Sequence, residues 1–247
     1  MKEFAIDLHM HTPLSPCGQD SMVPEAVVSR CLDMGLDVIA ITDHNTSGNV
    51  RPFWEEGQEK GLIVVPGMEL QTQEDIHLVC LFETPEILEA WERELQPFIP
   101  PQQNDSRYFG HQHKLSRQGT VIGEESRMLL ASMSISVDQA VSTVHEYGGL
   151  CIAAHIDRQG FSLWTAFGLI PAYIPFDGIE LTCHLPREEA QLAAIRALGY
   201  RYLTAGDAHH LEGIGPIHCA AFLAHWSLPE LALAMKGLDG RDIEVAR

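Results

Sequence analysis

Five short segments of this 247-residue chain run from apolar residues straight into histidine or a carboxylate: FAIDLHMH, DVIAITDH, VVPGME, LCIAAH and YLTAGDAH. An imidazole or carboxylate just past a buried strand is costly unless something at the strand end uses it, so five such endings imply one shared site. A metal cluster is the economical user. His9 and His11 are one residue apart, which on an extended chain turns both imidazoles to the same side and suits two ligands on one ion. Asp207 and His209 repeat that spacing. His44 follows Val38 to Thr42, Glu69 follows a short Pro66-Gly67 turn, and His155 closes Leu150 to Ala154. Asp43, beside His44, is suited to orienting an imidazole rather than to binding the ion. His77 lies inside the apolar stretch Ile76 to Phe82, where a lone histidine would read as a core residue; the company of the others makes it a candidate ligand. Imidazoles with hard carboxylates suit zinc, manganese or iron, and fit calcium poorly.

The elements that must position these residues alternate as β and α. Strand-like Phe4 to Leu8 precedes a helix from Pro24 stopped by Gly35, then Asp37 to Thr42, a helical stretch before Gly61, and Leu62 to Pro66. Ser136 is placed to cap a helix reaching Tyr147, with the strand Leu150 to Ala154 after it. Asp177 to Thr182, a helix over Pro186 to Leu198, and Arg201 to Ala205 follow, then Cys219 to Ala224 and a last helix from Ser227. The near-continuous apolar strands predict burial on both faces, as in a parallel sheet. The count comes to about seven βα units.

Thr84 to Met133 breaks the rhythm. Thr84-Pro85-Glu86 opens a helix, but Pro97, Pro100 and Pro101 end it and polar sequence follows. This is expected to be an insertion, over residues 84–133, above the mouth of the fold, either a lid or a surface loop. His111, His113, Lys114 and Arg117 form a small basic cluster within it, which reads as a solvated loop face and would add positive charge at the mouth if the insertion folds over.

The length suits one core, so residues 1–247 are expected to form a single domain. A charge of -18 argues against a general basic surface for nucleic acid. Without a membrane-length apolar run or a leader, the expected location is the cytoplasm. Six scattered cysteines form no CxxC pair and predict no disulfide there. No oligomeric state is assigned.

Taken together, DLHMHT (7–12), ITDHN (41–45), PGME (66–69), AAHIDR (153–158) and GDAHH (206–210) resemble the PHP (polymerase and histidinol phosphatase) family of metal-dependent phosphoesterases. The resemblance implies a distorted seven-stranded, TIM-like βα barrel with two or three divalent ions (Zn, Mn or Fe) at its C-terminal mouth. It implies metal ligation by His9, His11, His44, Glu69, His77, His155, Asp207 and His209, with Glu69 bridging. Many relatives carry a further ligand in the turn after HxHT; here that turn is Ser15-Pro16-Cys17-Gly18-Gln19-Asp20, so Cys17 or Asp20 could supply it or that metal could lack a protein ligand there, and spacing favours Cys17.

The expected reaction is hydrolysis of a phosphate ester by a metal-bound hydroxide. Arg158 would hold the phosphate through bidentate hydrogen bonds, and His210 or His184 would bind it or protonate the leaving oxygen. The expected partner is a small phosphorylated substrate such as a nucleotide. A nuclease trimming short oligonucleotides and a non-catalytic metal-binding accessory module are the alternatives; a nuclease should show an extended basic or aromatic track, and none is evident in the sequence.

Overall fold

The computed structural model describes residues 1–183, 188–216 and 219–245. Its main sheet contains β1 (Lys2–Asp7), β2 (Val38–Ile41), β3 (Ile63–Gln71), β4 (His77–Leu81), β7 (Leu150–Ala153), β8 (Gly178–Thr182), β9 (Tyr202–Ala205), β10 (Cys219–Leu223) and β11 (Asp242–Val245). β5 (His113–Leu115) and β6 (Val121–Glu124) form a separate hairpin. The helices are α1 (Pro24–Asp33), α2 (Val50–Lys60), α3 (Pro85–Glu94), α4 (Ser106–Phe109), α5 (Val137–Glu146), α6 (Leu163–Phe167), α7 (Glu189–Ala197) and α8 (Leu228–Met235). Among the described residues no helix is long and apolar enough to cross a membrane.

The helix signals are met where they were strongest. Ser136 caps α5 in a full capping box with Gln139, and the Thr84 side chain accepts from the Ile87 amide ahead of Pro85 in α3.

The strand order β11-β10-β1-β2-β3-β4-β7-β8-β9 curls until β9 lies against β1 and β11, giving a nearly closed barrel. The TIM-like expectation holds in outline. Nine strands rather than seven build it, and the sheet is mixed: β4 runs antiparallel to both β3 and β7, and β10 antiparallel to β1 and β11. The Pro66-Gly67 turn does not exist; β3 continues straight through it to Gln71 and returns as β4. Gly67 is needed there because a Cβ would meet Thr42 Cγ2 at 2.8 Å.

Alternation along the strands separates two cores. Ile6, Leu8, Val38, Ala40, Val65, Val79, Leu81, Ile152, Ala154 and Leu203 pack together with Leu228, Leu231 and Met235 of α8. The intervening residues, such as Ile39, Ile41, Cys151 and Ala153, pack with the flanking helices. His44, Glu69, His77 and Asp207 share the parity of Ala40, Val65, Val79 and Leu203, so each continues an inner column of apolar side chains out to the mouth.

The barrel closes beside those residues. The Gly206 amide donates to Asp7 Oδ1 at 3.1 Å, the His11 amide donates to the Ala208 carbonyl at 3.0 Å, and Met10 bridges Ala208 in parallel register. A Cβ on Gly206 would lie 2.8 Å from Asp7 Oδ2. Gly206→Ala should therefore destabilise the fold by about 1–3 kcal/mol, whereas Gly123→Ala, with nothing within 4 Å of the added carbon, should be neutral. Equal denaturation midpoints for the two variants would contradict this closure.

Candidate metal centre

The strand ends converge on Glu69. Its carboxylate is buried and meets five imidazoles: His9 Nε2 at 3.2 Å, His11 Nε2 at 3.3 Å, His44 Nδ1 at 2.9 Å, His77 Nδ1 at 2.7 Å and His155 Nε2 at 3.0 Å. Asp207 stands opposite, with Oδ1 at 3.5 Å from His9 Nε2 and 3.1 Å from His11 Nε2. His209 stacks on His11 with ring centroids 4.3 Å apart.

All nine residues expected to bind metal fall into four overlapping groups whose ligand atoms lie within 4.8 Å of one another: His11, Cys17, His44 and His209; His9, His11 and Glu69; His9, His155 and Asp207; His44, Glu69 and His77. Cys17 joins the cluster, whereas Asp20 faces outward and pairs with His113 at 3.1 Å.

Whether this donor set fits metal ions can be read from its unmet hydrogen bonds. Buried polar atoms normally find partners, yet His44 Nδ1, Glu69 Oε2, His77 Nδ1, His155 Nδ1 and Asp207 Oδ1 have none. Five such atoms in one cluster of imidazoles and carboxylates are the signature of cation ligands. The residues fit.

The orientation of the rings points the same way. His9 Nδ1 donates to Glu180, 3.1 Å from Oε1, leaving Nε2 toward Glu69. His11 Nδ1 donates to Ser15 Oγ at 3.0 Å, and that hydroxyl donates to Asp43 Oδ1 at 2.6 Å. His209 Nδ1 donates to the Asp207 carbonyl at 2.7 Å, and His77 Nε2 faces Gln71 Oε1 at 3.3 Å. Each outer bond fixes which nitrogen is left for a metal. Asp43 thus orients an imidazole, as its position suggests, but through Ser15.

Sequence reasoning missed Glu180, which lies in the middle of β8; it accepts from His9 and from the His155 amide at 3.1 Å. Asp7 was also missed. Burial, only partly offset by the Gly206 and His9 amides, pushes its carboxyl up to about 7. A carboxylate inside an otherwise apolar strand was the available signal for both.

Backbone strain gathers at the same place. Asn45, His155, Phe161 and Asp207 have φ of 54°, 26°, 55° and 48°, although none is glycine. Such conformations cost on the order of 1–3 kcal/mol each and persist where surrounding contacts hold them.

Arg158 sits at the mouth, its Nη1 2.7 Å from Asp207 Oδ2, so one of its five donors is engaged by the cluster. His210 lies beyond it; its Nδ1 accepts from the Gly213 amide at 2.9 Å, which puts the proton of the neutral ring on Nε2. His184 falls outside the described residues. Two cavities open here. One, of about 500 Å³, is lined by Cys17, His44, Glu69, His77, Arg158 and Phe161; the other, of about 610 Å³, by Arg158, Gly206, His210 and Gly215. They share Arg158, Asp207 and His209.

The insertion walls one side of this mouth. Asn45 Nδ2 donates to the Leu129 and Ala131 carbonyls at 2.8 and 3.1 Å, Gln71 Nε2 donates to Ser132 Oγ at 2.8 Å, and Leu130 lines the first cavity. Its basic residues do not add charge there. His111 pairs with Glu124, Lys114 with Glu125, and Arg117 with Glu56 and Glu59.

Charge within the cluster is tightly coupled. Burial opposes protonation of His11, but Asp207 and Glu69 outweigh it and raise the ring to about 9. His9 is likewise held well above its ordinary value against burial, by Glu180, Glu69 and Asp207. Burial pulls His44 and His209 down to about 4. Glu69 stays well below the carboxylate range in spite of burial, because His77, His9 and His44 surround it.

The model of the PHP domain family matches residues 7–164. The 5'-3' exoribonuclease Rnm of Escherichia coli strain K12 is 24% identical over 250 aligned positions, covering 83% of this chain and 84% of that protein. Its Salmonella typhimurium counterpart is 22% identical over the same coverage. The fold resembles that of a lesion-specific endonuclease from Pyrococcus furiosus, with a TM-score of 0.68 at 16% identity over 98% of this chain and 58% of the other. The chain therefore spans little more than half of that enzyme. PsfC from Pseudomonas syringae gives a TM-score of 0.60 at 14% identity, covering 100% of this chain and 93% of the other.

Two outcomes follow from this geometry. A cation reaching His11 below pH 9 must displace a proton, so metal affinity should rise with pH between 7 and about 9. Calorimetry in buffers of different ionisation enthalpy checks this; binding at pH 7 without proton release would refute it. Glu180→Gln, which keeps shape but loses charge, should weaken metal binding about 10–100-fold with an unchanged circular dichroism spectrum.

Proposed function

The chain belongs to the PHP domain family of metal-dependent phosphoesterases, and we propose that it cleaves the phosphodiester joining a terminal nucleotide to a short oligonucleotide. One observation carries this reading: the two cavities meet on Arg158, Asp207 and His209 at the edge of the metal-binding cluster. Each has the volume of a small-ligand site. A phosphate held where they join leaves one nucleotide-sized group on either side. The exoribonuclease relatives support that choice of substrate.

His9, His11, Cys17, His44, Glu69, His77, His155, Asp207 and His209 would hold two or three divalent ions. When bound, such ions acidify water and draw charge from the phosphoryl oxygens. Arg158 supplies hydrogen bonds to the phosphate at the cavity junction, Asp207 fixing its approach. His210, with its proton on Nε2, is the donor available to the leaving oxygen from the second cavity. Phe161 stacks on His77 with centroids 4.8 Å apart, lines the first cavity and is 50% exposed, which suits a platform for a nucleobase.

A second reading, hydrolysis of a free nucleotide monoester, is favoured by the charge of -18 and by the carboxylate pairing of the insertion's basic residues, both of which disfavour long polyanions.

The metal-replete protein, offered a five-nucleotide RNA, a dinucleotide and a nucleoside monophosphate with Mn or Zn, should release mononucleotides from the RNA. Phe161→Ala should raise KM for the RNA about tenfold, equivalent to about 1.4 kcal/mol of lost stacking, and leave turnover of p-nitrophenyl phosphate unchanged. Turnover of the monophosphate alone would select the second reading. Inactivity on every phosphoester would sink both.

A further inference from the structure

The insertion's hairpin holds a second group of metal-type ligands, which shares no residue with the barrel cluster. We propose that His111, His113 and Glu124, with Asp20 reaching in from the turn after β1, form a separate zinc site. His113 opens β5 and His111 lies two residues before it; their rings stack with centroids 5.0 Å apart at 18°. Glu124 is the residue directly across the ladder from His113. One ligand atom from each of the three lies within 4.8 Å of the others. His111 Nδ1 meets Glu124 Oε1 at 2.8 Å, and His113 Nδ1 meets Asp20 Oδ1 at 3.1 Å.

His111, His113 and Glu124 offer two imidazoles and a carboxylate, three of the four ligands that zinc takes, and Asp20, 3.1 Å from His113, stands beside them. Nitrogen donors make it a poor site for calcium or magnesium, which prefer oxygen. As bare ion pairs these contacts would add little, because exposed salt bridges contribute on the order of 0–1 kcal/mol.

The site also has a structural consequence. Asp20 ends the turn that presents Cys17 to the barrel cluster, and the neighbouring Gln19 amide donates to the His209 carbonyl at 2.8 Å. An ion here would pin the insertion to that turn from outside, next to the catalytic mouth but not in it.

The test is zinc titration of chelator-stripped protein against a chromogenic competitor, comparing the natural sequence with a His111→Gln/His113→Gln double variant. These side chains are exposed or half-buried, so the fold should be retained, which circular dichroism checks. The double variant should lose one zinc equivalent while the remaining ones keep their affinity, and Asp20→Asn should weaken that same equivalent at least about tenfold. Zinc should slow proteolysis of the insertion in the natural sequence and not in the double variant. Identical stoichiometry and affinity in both proteins would overturn the proposal. So would loss of several equivalents together, which would make the hairpin part of the barrel centre. Neither outcome depends on turnover, so the site stands or falls apart from the assignment of substrate.

Discussion

A single buried carboxylate sets the terms for the rest of the molecule. Glu69 is 1% exposed, and an isolated carboxylate at that depth would be neutralised or would unfold its surroundings. It remains charged because five imidazoles from four segments face it within 3.3 Å. Those imidazoles repel one another when protonated, and burial drives His44 down to about 4 while Asp207 and Glu69 hold His11 near 9. A cluster in which neighbouring rings are pushed in opposite directions is better satisfied by cations than by protons. The barrel supplies the geometry: inner-facing columns of Val, Ile, Leu and Ala end, at the mouth, in the groups that share the charge.

Holding such a cluster requires rigidity at its edge. Glu180 and the Ser15–Asp43 pair grip the back of His9 and His11, and the left-handed backbone at His155 and Asp207 aims those side chains inward as the strands stop. The strain is local, and the hydrogen bonds that offset it are local too: the His155 amide donates to the same Glu180 that holds His9. One carboxylate therefore fixes two ligands from different strands. Closure of the barrel adds to this, since the Ala208 carbonyl between Asp207 and His209 accepts from the His11 amide.

Much of this was legible before any coordinates. The clustered residues announced themselves because a polar ending on an apolar strand has few uses, and helix caps at Thr84 and Ser136 are local chemistry that sequence carries directly. Strand direction is not carried that way. Ile76 to Phe82 has the same composition whether it runs parallel or antiparallel, and only the tight return after Gln71 makes it antiparallel. Glu180 escaped notice because it lies inside its strand rather than at the end, although its placement among Ile179 and Leu181 is itself the mark of a charge with a buried partner. The pairing of the insertion's basic residues was not legible for a different reason: their neutralising partners are up to 93 positions away, as in His113 with Asp20, and no pattern along the chain pairs them.

That pairing bears on what the mouth can accept. A protein with a charge of -18 repels a long polyanion over most of its surface, and the insertion's basic cluster, which could offset this near the mouth, is matched to carboxylates. Among the described residues that line the two adjoining cavities, positive potential comes from Arg158 and the clustered imidazoles, and from whatever ions the cluster binds. Screening makes such a source effective only over about 10 Å at 0.1 M salt, roughly the reach of the first few phosphates of a strand. The same screening limits repulsion by the rest of the surface, so on the proposed reading it is the few phosphates nearest the mouth whose contacts decide binding.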